Sequence, residues 1–166
     1  DLSVGSIIAV SGVVAVVLAI AGLPAPLAVL AGIGVGALCG LVNGALTAYL
    51  SLAPFIVTLG TMTFLRGLAY TITAGQPIVS SDLNFKGIGI GYLFGVPIPV
   101  IVMAIVFLIA WFLLERTRYG RHVYAVGGNA QAARLAGVRV DRVTLSVYVI
   151  GGACAGLAGV IFAARV

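Results

Sequence analysis

From Leu2 to Leu65 the chain carries no Asp, Glu, Lys or Arg, a run about three times the ~20 apolar residues that cross a bilayer. Apolar residues fill this run instead of alternating along it. Prolines divide it, because proline fixes φ and lacks the N–H that a helix interior needs. Pro24 and Pro26 separate a first predicted helix, 3–21, from a second, 27–50, and Pro54 sets off a third, 55–74. Two more solidly apolar stretches, 97–114 and 143–164, predict a fourth and a fifth. A spanning barrel would alternate apolar and polar residues over segments of about ten, which these runs do not. The expected fold is all-α: one polytopic transmembrane domain over 1–166, with about five spanning helices.

Composition sharpens this picture. Hydrophobic residues make up 62% of the chain and charged residues 8%, against roughly 25% charged in a soluble domain. The net charge of +5 does not point to nucleic acid, because six of the nine basic residues fall between Arg116 and Arg142. Short loops rich in arginine stay cytoplasmic. The loop over 115–142 is therefore expected inside and the 75–96 connection, holding only Asp82 and Lys86, outside. Counting back puts Pro24 outside and Pro54 inside, with the start of the first helix towards the cytoplasm or within the membrane. Trp111, Tyr119 and Tyr148 flank the basic loop, where amphipathic rings favour the headgroup level.

The second helix has a small residue at every fourth position: Ala28, Gly32, Gly36, Gly40, Gly44 and Ala48. The fifth repeats the device with Gly152 and Gly156, and with Ala155 and Gly159. Such stripes let backbones approach closely where no water drives helices together, so these positions are read as packing surfaces, with sliding between conformations as a further hypothesis. Cys39 and Cys154 are read as two free thiols inside apolar helices.

Polar residues in the spans carry the candidate chemistry, since an unsatisfied polar group in hydrocarbon must find a partner or water. Thr58, Thr61, Thr63 and Arg66 cluster in the third helix, with Thr58, Thr61 and Leu65 on one face. Arg66 is the only charge inside a predicted span. It either lines a polar path or caps carbonyls and snorkels from a tilted helix. Asn43 either lines the same path or ties two helices by a hydrogen bond. In the basic loop, Gly127-Gly128 is expected to turn the chain. Asn129 then caps a short helix, Ala130-Gln131-Ala132-Ala133-Arg134-Leu135-Ala136, that ends at Gly137. That helix suits docking into a groove on a cytoplasmic partner or lying on anionic lipid.

An intramembrane enzyme is disfavoured, because the chain has no His-Glu-x-x-His zinc motif, no nucleophile elbow, and one histidine, His122, in the basic loop. No catalytic or metal-ligating residue is assigned. A passive channel, an ion-coupled carrier and a purely structural subunit stay open, although no acidic residue lies mid-span. With no opening Met or signal peptide, and an ending at Arg165-Val166 on the edge of an apolar helix, the chain is read as truncated at both ends.

Five segments, taken in order, carry a resemblance: Asp1-Leu2-Ser3-Val4-Gly5-Ser6; Gly40-Leu41-Val42-Asn43-Gly44; Pro54-Phe55-Ile56-Val57-Thr58-Leu59-Gly60-Thr61-Met62; Arg118-Tyr119-Gly120-Arg121; and Ala125-Val126-Gly127-Gly128-Asn129. Together they resemble bacterial ribose, xylose and arabinose ABC-transporter permeases, of the branched-chain amino acid/sugar permease superfamily. The resemblance implies a fragment of a roughly ten-helix inner-membrane translocator that dimerises with a second permease copy. It implies a periplasmic sugar-binding protein as donor and a cytoplasmic ABC ATPase as motor, with no cofactor in this chain. The translocation path is then expected along Asn43, Thr58, Thr61 and Arg66, with Asp1 and Ser3 near a helix end beside it. Ala132-Ala133 and Gly137 match the family's ATPase-coupling pattern, with Asn129, Arg134 and Leu135 in the same element. Gln131 stands where the family commonly has Glu.

Overall fold

The computed structural model describes residues 1–76, 78 and 83–165. Five long helices carry the architecture: α1 (Val4–Ile20), α2 (Ala25–Ala48), α3 (Pro54–Thr73), α5 (Ile98–Arg116) and α8 (Val140–Ala163). Each corresponds to one predicted apolar segment. Proline sits in the first turn of α2, α3 and α5, where its missing N–H is an orphan in any case. The four helices α2, α3, α5 and α8 are long and apolar enough to cross a membrane. At 17 residues, α1 spans only about 25 Å at 1.5 Å per residue, short of the ~30 Å hydrocarbon layer.

Two expectations need correction. Gly127 and Gly128 do not turn the chain; they form the last residues of an additional helix, α6 (Arg118–Gly128). Its half-buried positions are Tyr119, Val123 and Val126, spaced as one helical face. The Thr117 Oγ1 accepts from the Gly120 N–H at 3.3 Å and caps it. Among its described residues the 75–96 connection is also more than a plain loop, holding the short helix α4 (Lys86–Ile90) and leading into a hairpin of β1 (Tyr92–Leu93) and β2 (Val96–Pro97). Asp82 lies outside the described residues. The last element, α7 (Ala130–Leu135), is the predicted loop helix.

The most extensive contact in the fold joins α2 to α8, and α1 lies against both. Gly32, Gly36, Gly40 and Gly44 are buried, as are Gly152, Gly156 and Gly159. A methyl group on Gly36 would collide with the Gly152 carbonyl, and one on Gly40 with that of Tyr148. On Gly156 it would lie 2.9 Å from the Gly32 carbonyl oxygen. The glycine stripes are therefore a backbone-to-backbone seam, as the every-fourth pattern predicts.

One apolar cluster around Ala15, Ala28, Phe85 and Val160 holds one end of α1, α2 and α8 together. There the Asn84 amide donates to the Leu23 carbonyl at 2.7 Å, fastening the 83–85 segment beside the α1–α2 turn. A second cluster, Ile7, Val10, Leu65 and Ala155, brings in α3. By contrast α5 buries no side chain. An apolar groove of about 580 Å³, walled by Val106 and Phe107 of α5 and by Leu157 and Ile161 of α8, runs between these two helices.

Candidate translocation site and coupling loop

Four polar side chains converge where α1, α2 and α3 meet. The Asp1 carboxylate Oδ1 accepts from the Ser3 backbone N–H at 2.7 Å and from the Ser3 hydroxyl at 2.6 Å. The Asn43 amide Nδ2 donates to Ser3 Oγ at 2.9 Å and to Asp1 Oδ2 at 3.4 Å. Thr61 Oγ1 donates to Asn43 Oδ1 at 2.6 Å. Donor and acceptor alternate along the chain, and the carboxylate, which only accepts, fixes the direction of the Asn43 amide. Ser3 and Asn43 are fully buried while Asp1 is exposed. The network thus runs from an exposed carboxylate into the interior.

Local sequence explains the placement. Asn43 follows Gly40 by three residues and adjoins Gly44, so it lies beside the seam at the point where α1 also closes on α2. Ser6, one turn on from Ser3, donates to the Met62 carbonyl of α3 at 2.9 Å. Thr58 is buried but turns its hydroxyl onto the Pro54 carbonyl, 2.9 Å away in its own helix. Arg66 is exposed and forms no salt bridge among the described residues. It lies five positions beyond Thr61, about 140° round the helix.

At the opposite end of the chain, α7 is closed at both termini. Asn129 Oδ1 accepts from the Ala132 N–H at 3.0 Å. Gly137 has φ +85°, and its N–H bonds Arg134 while that of Val138 bonds the Ala133 carbonyl, the paired bonds of a Schellman ending. Ala133 is buried, and Leu135 stands 92% exposed, a bare apolar knob on the helix. Arg134 bridges to Asp141 at 2.6 Å and ties α7 to the start of α8.

A sequence profile described as "Branched-chain amino acid transport system / permease component" matches residues 1–166. The chain belongs to that family. It is 43% identical over 166 residues to the D-allose transport system permease protein AlsC of Escherichia coli K12, covering 99% of this chain and 51% of that protein. Against the ribose import permease protein RbsC it is 44% identical in Escherichia coli K12, covering 99% and 53%, and 42% identical in Bacillus subtilis 168, covering 99% and 52%. The chain spans about half the length of the curated relatives it matches. No solved structure matches it. Family and apolar helices together make this permease chain a multi-pass protein of the bacterial inner membrane.

Of the six path residues expected from the permease sequence, the fold brings four together: Asp1, Ser3, Asn43 and Thr61. Thr58 and Arg66 stand apart from them. Gln131, Ala132, Arg134 and Leu135 all reach the surface of α7, and Ala133 faces inward. Ser6 was missed, although a second serine one turn beyond Ser3 in an apolar helix signals it. The contact between the Tyr119 hydroxyl and Ser146 Oγ at 2.8 Å was missed as well. It follows only once α6 is known to be a helix. The two cysteines are free thiols.

Proposed function

We propose that the chain is the part of an ATP-driven importer's permease subunit that builds one side of the solute path and carries the loop to the motor. The solute is a monosaccharide, a pentose such as ribose or xylose being favoured by the ribose permeases among the relatives. The observation that carries this reading is the match of nearly the whole chain to about half of the allose transport and ribose import permeases, combined with a hydrogen-bonded polar chain in an otherwise apolar bundle. Hydroxyls and an amide suit a polyol, because they bind weakly enough to release it. The Asp1, Ser3, Asn43 and Thr61 network is therefore assigned to the wall of the path, with Asp1, Thr61 and Arg66 reaching its surface and the buried Ser3, Asn43 and Thr58 supporting it from behind.

In this reading α7 docks on a cytoplasmic ABC ATPase, with Leu135 entering an apolar pocket of the partner and Gln131, Ala132 and Arg134 around it. Asn129 and Gly137 hold the helix in shape. The basic loop faces the cytoplasm, and the α4 and hairpin connection faces a periplasmic sugar-binding protein. A second permease copy completes the pathway. ATP binding closes the motor and switches packed helices between inward-open and outward-open arrangements. This chain itself needs no cofactor and performs no hydrolysis.

Co-purification of the full-length protein with its ATPase tests the assignment. Wild type is expected to retain the ATPase. Gly137→Arg, which breaks the left-handed helix ending, and Leu135→Asp, which charges the knob, are expected to release it while the protein still folds. A folded wild-type protein that never retains an ATPase would favour the second reading, a passive channel or ion-coupled carrier, to which the exposed charge of Arg66 lends its support.

A further inference from the structure

The basic loop folds round a cavity of about 480 Å³ lined by Tyr119 and His122 of α6 and by Arg139, Arg142 and Ser146 at the start of α8. Its wall is fixed, since Ser146 Oγ donates to the Val143 carbonyl at 2.8 Å and so receives the Tyr119 hydroxyl. The two acidic residues of the 115–142 segment are engaged elsewhere. Asp141 is held by Arg134 at 2.6 Å, and Glu115 accepts from the Tyr124 hydroxyl at 3.1 Å. Other arginines are also occupied: Arg116 lies over the Trp111 ring at 5.5 Å, and Arg121 donates to the Thr117 carbonyl at 3.3 Å. Arg139 and Arg142 form no salt bridge among the described residues. Arg139 is also the N-cap of α8 and makes no side-chain cap bond. The positive end of the helix adds to the same place, offset in part by Asp141 in its first turn.

We propose that this cavity binds the phosphodiester headgroup of an anionic glycerophospholipid. Two guanidinium groups offer the forked donors that match phosphate oxygens, and basic pockets between spanning helices on the cytoplasmic side favour such headgroups. Val138 and Val143 in the same lining favour lipid over free phosphate. The helix α5, which leads directly into α6, presents Trp111 and Phe112 in its last turns, exposed by 45% and 55%, as apolar surface for acyl chains. The surface is distinct from Leu135 on α7. The lipid would hold α6 against α8 and set the height at which the basic loop leaves the membrane.

The test uses the full-length protein in phosphatidylcholine nanodiscs with graded phosphatidylglycerol, and retained lipid is counted by native mass spectrometry. Wild type is expected to retain phosphatidylglycerol over phosphatidylcholine. Arg139→Ala with Arg142→Ala should weaken this roughly thirtyfold, about fivefold for each arginine. Replacing both by lysine should preserve most of it, and Arg165→Ala should change nothing. Circular dichroism checks that each variant folds. Equal retention by the double alanine variant overturns the proposal. Displacement by equimolar inorganic phosphate overturns the lipid assignment in favour of a free anion. Loss of the ATPase from the double variant with lipid retention unchanged would assign the arginines to a protein contact instead.

Discussion

Asn43 shows how much one side chain does in an apolar helix. Its carbonyl receives Thr61 and its amide reaches Ser3 and Asp1, so α1, α2 and α3 meet on a single residue. Removing it leaves Ser3 without its amide donor and Thr61 with only the Val57 carbonyl of its own helix, 3.0 Å away, to donate to. Hydrogen bonds between membrane helices average about 0.6 kcal/mol each and reach roughly 1.7. Asn43→Leu is expected to destabilise the full-length protein by about 1–3 kcal/mol in a denaturant titration and to lower sugar uptake by more than this loss of folded protein explains. Uptake that falls only in proportion to folded protein would make Asn43 a helix tie alone. A second residue-scale expectation concerns Tyr124 in α6. Its hydrogen bond to Glu115, reinforced by the nearby carboxylate charge, raises its pKa above the ordinary phenol value of about 10. The favourable contact is present below that value and lost as pH rises through the raised one. A UV-monitored titration should find a tyrosine ionising late, and Glu115→Gln should bring it back.

Helices α2 and α8 meet through glycine. Gly36→Leu is expected to prevent α2 from closing on α8, at a cost of more than about 3 kcal/mol, and the protein should fail to accumulate in the membrane. Gly34 lies on the same helix with open space where its Cβ would stand. Gly34→Ala should be neutral or gain up to about 1 kcal/mol, and the contrast between the two in a thermal unfolding assay separates packing from propensity. The seam was legible in the sequence because small residues recurred every fourth position. So were the five long helices and both ends of α7, since prolines, Asn129 and Gly137 mark boundaries by backbone chemistry. α6 was hidden because Gly127-Gly128 is a sequence that favours a turn, and the face that settles the helix, Tyr119, Val123 and Val126, is only three residues long. The hairpin was hidden for another reason. Its turn uses Phe94 at φ +52° beside Gly95 at +79°, a mirror-image turn that normally favours Asn or Gly first. Of the hydrogen-bonded network, Asp1, Ser3, Asn43 and Thr61 were legible as polar residues in apolar sequence but their pairing was not, because periodicity gives a face and never a distance.

Across the whole molecule, two ends separate. One gathers the 20–25 turn, the hairpin and the close of α8; the other gathers Asp1, the α2–α3 turn and the arginine-rich α6–α7 segment. Single cysteines placed at Phe94 and at Leu135, in a full-length protein lacking Cys39 and Cys154, are expected to react with an impermeant thiol reagent from opposite sides of the membrane. Labelling of both from one side would break the assigned topology. Seen as a mechanical assembly, the glycine seam has a further consequence. Gly36, Gly40 and Gly152 stand against main-chain carbonyls, which have no rotamers to exchange, whereas Gly32 and Gly44 face the side chains of Val160 and Tyr148. A side chain can turn aside and a carbonyl cannot, so the middle of the seam holds α2 and α8 at one fixed separation. Among the buried glycines of α2, substitution is therefore freest at Gly32 and Gly44 and most restricted at Gly36 and Gly40.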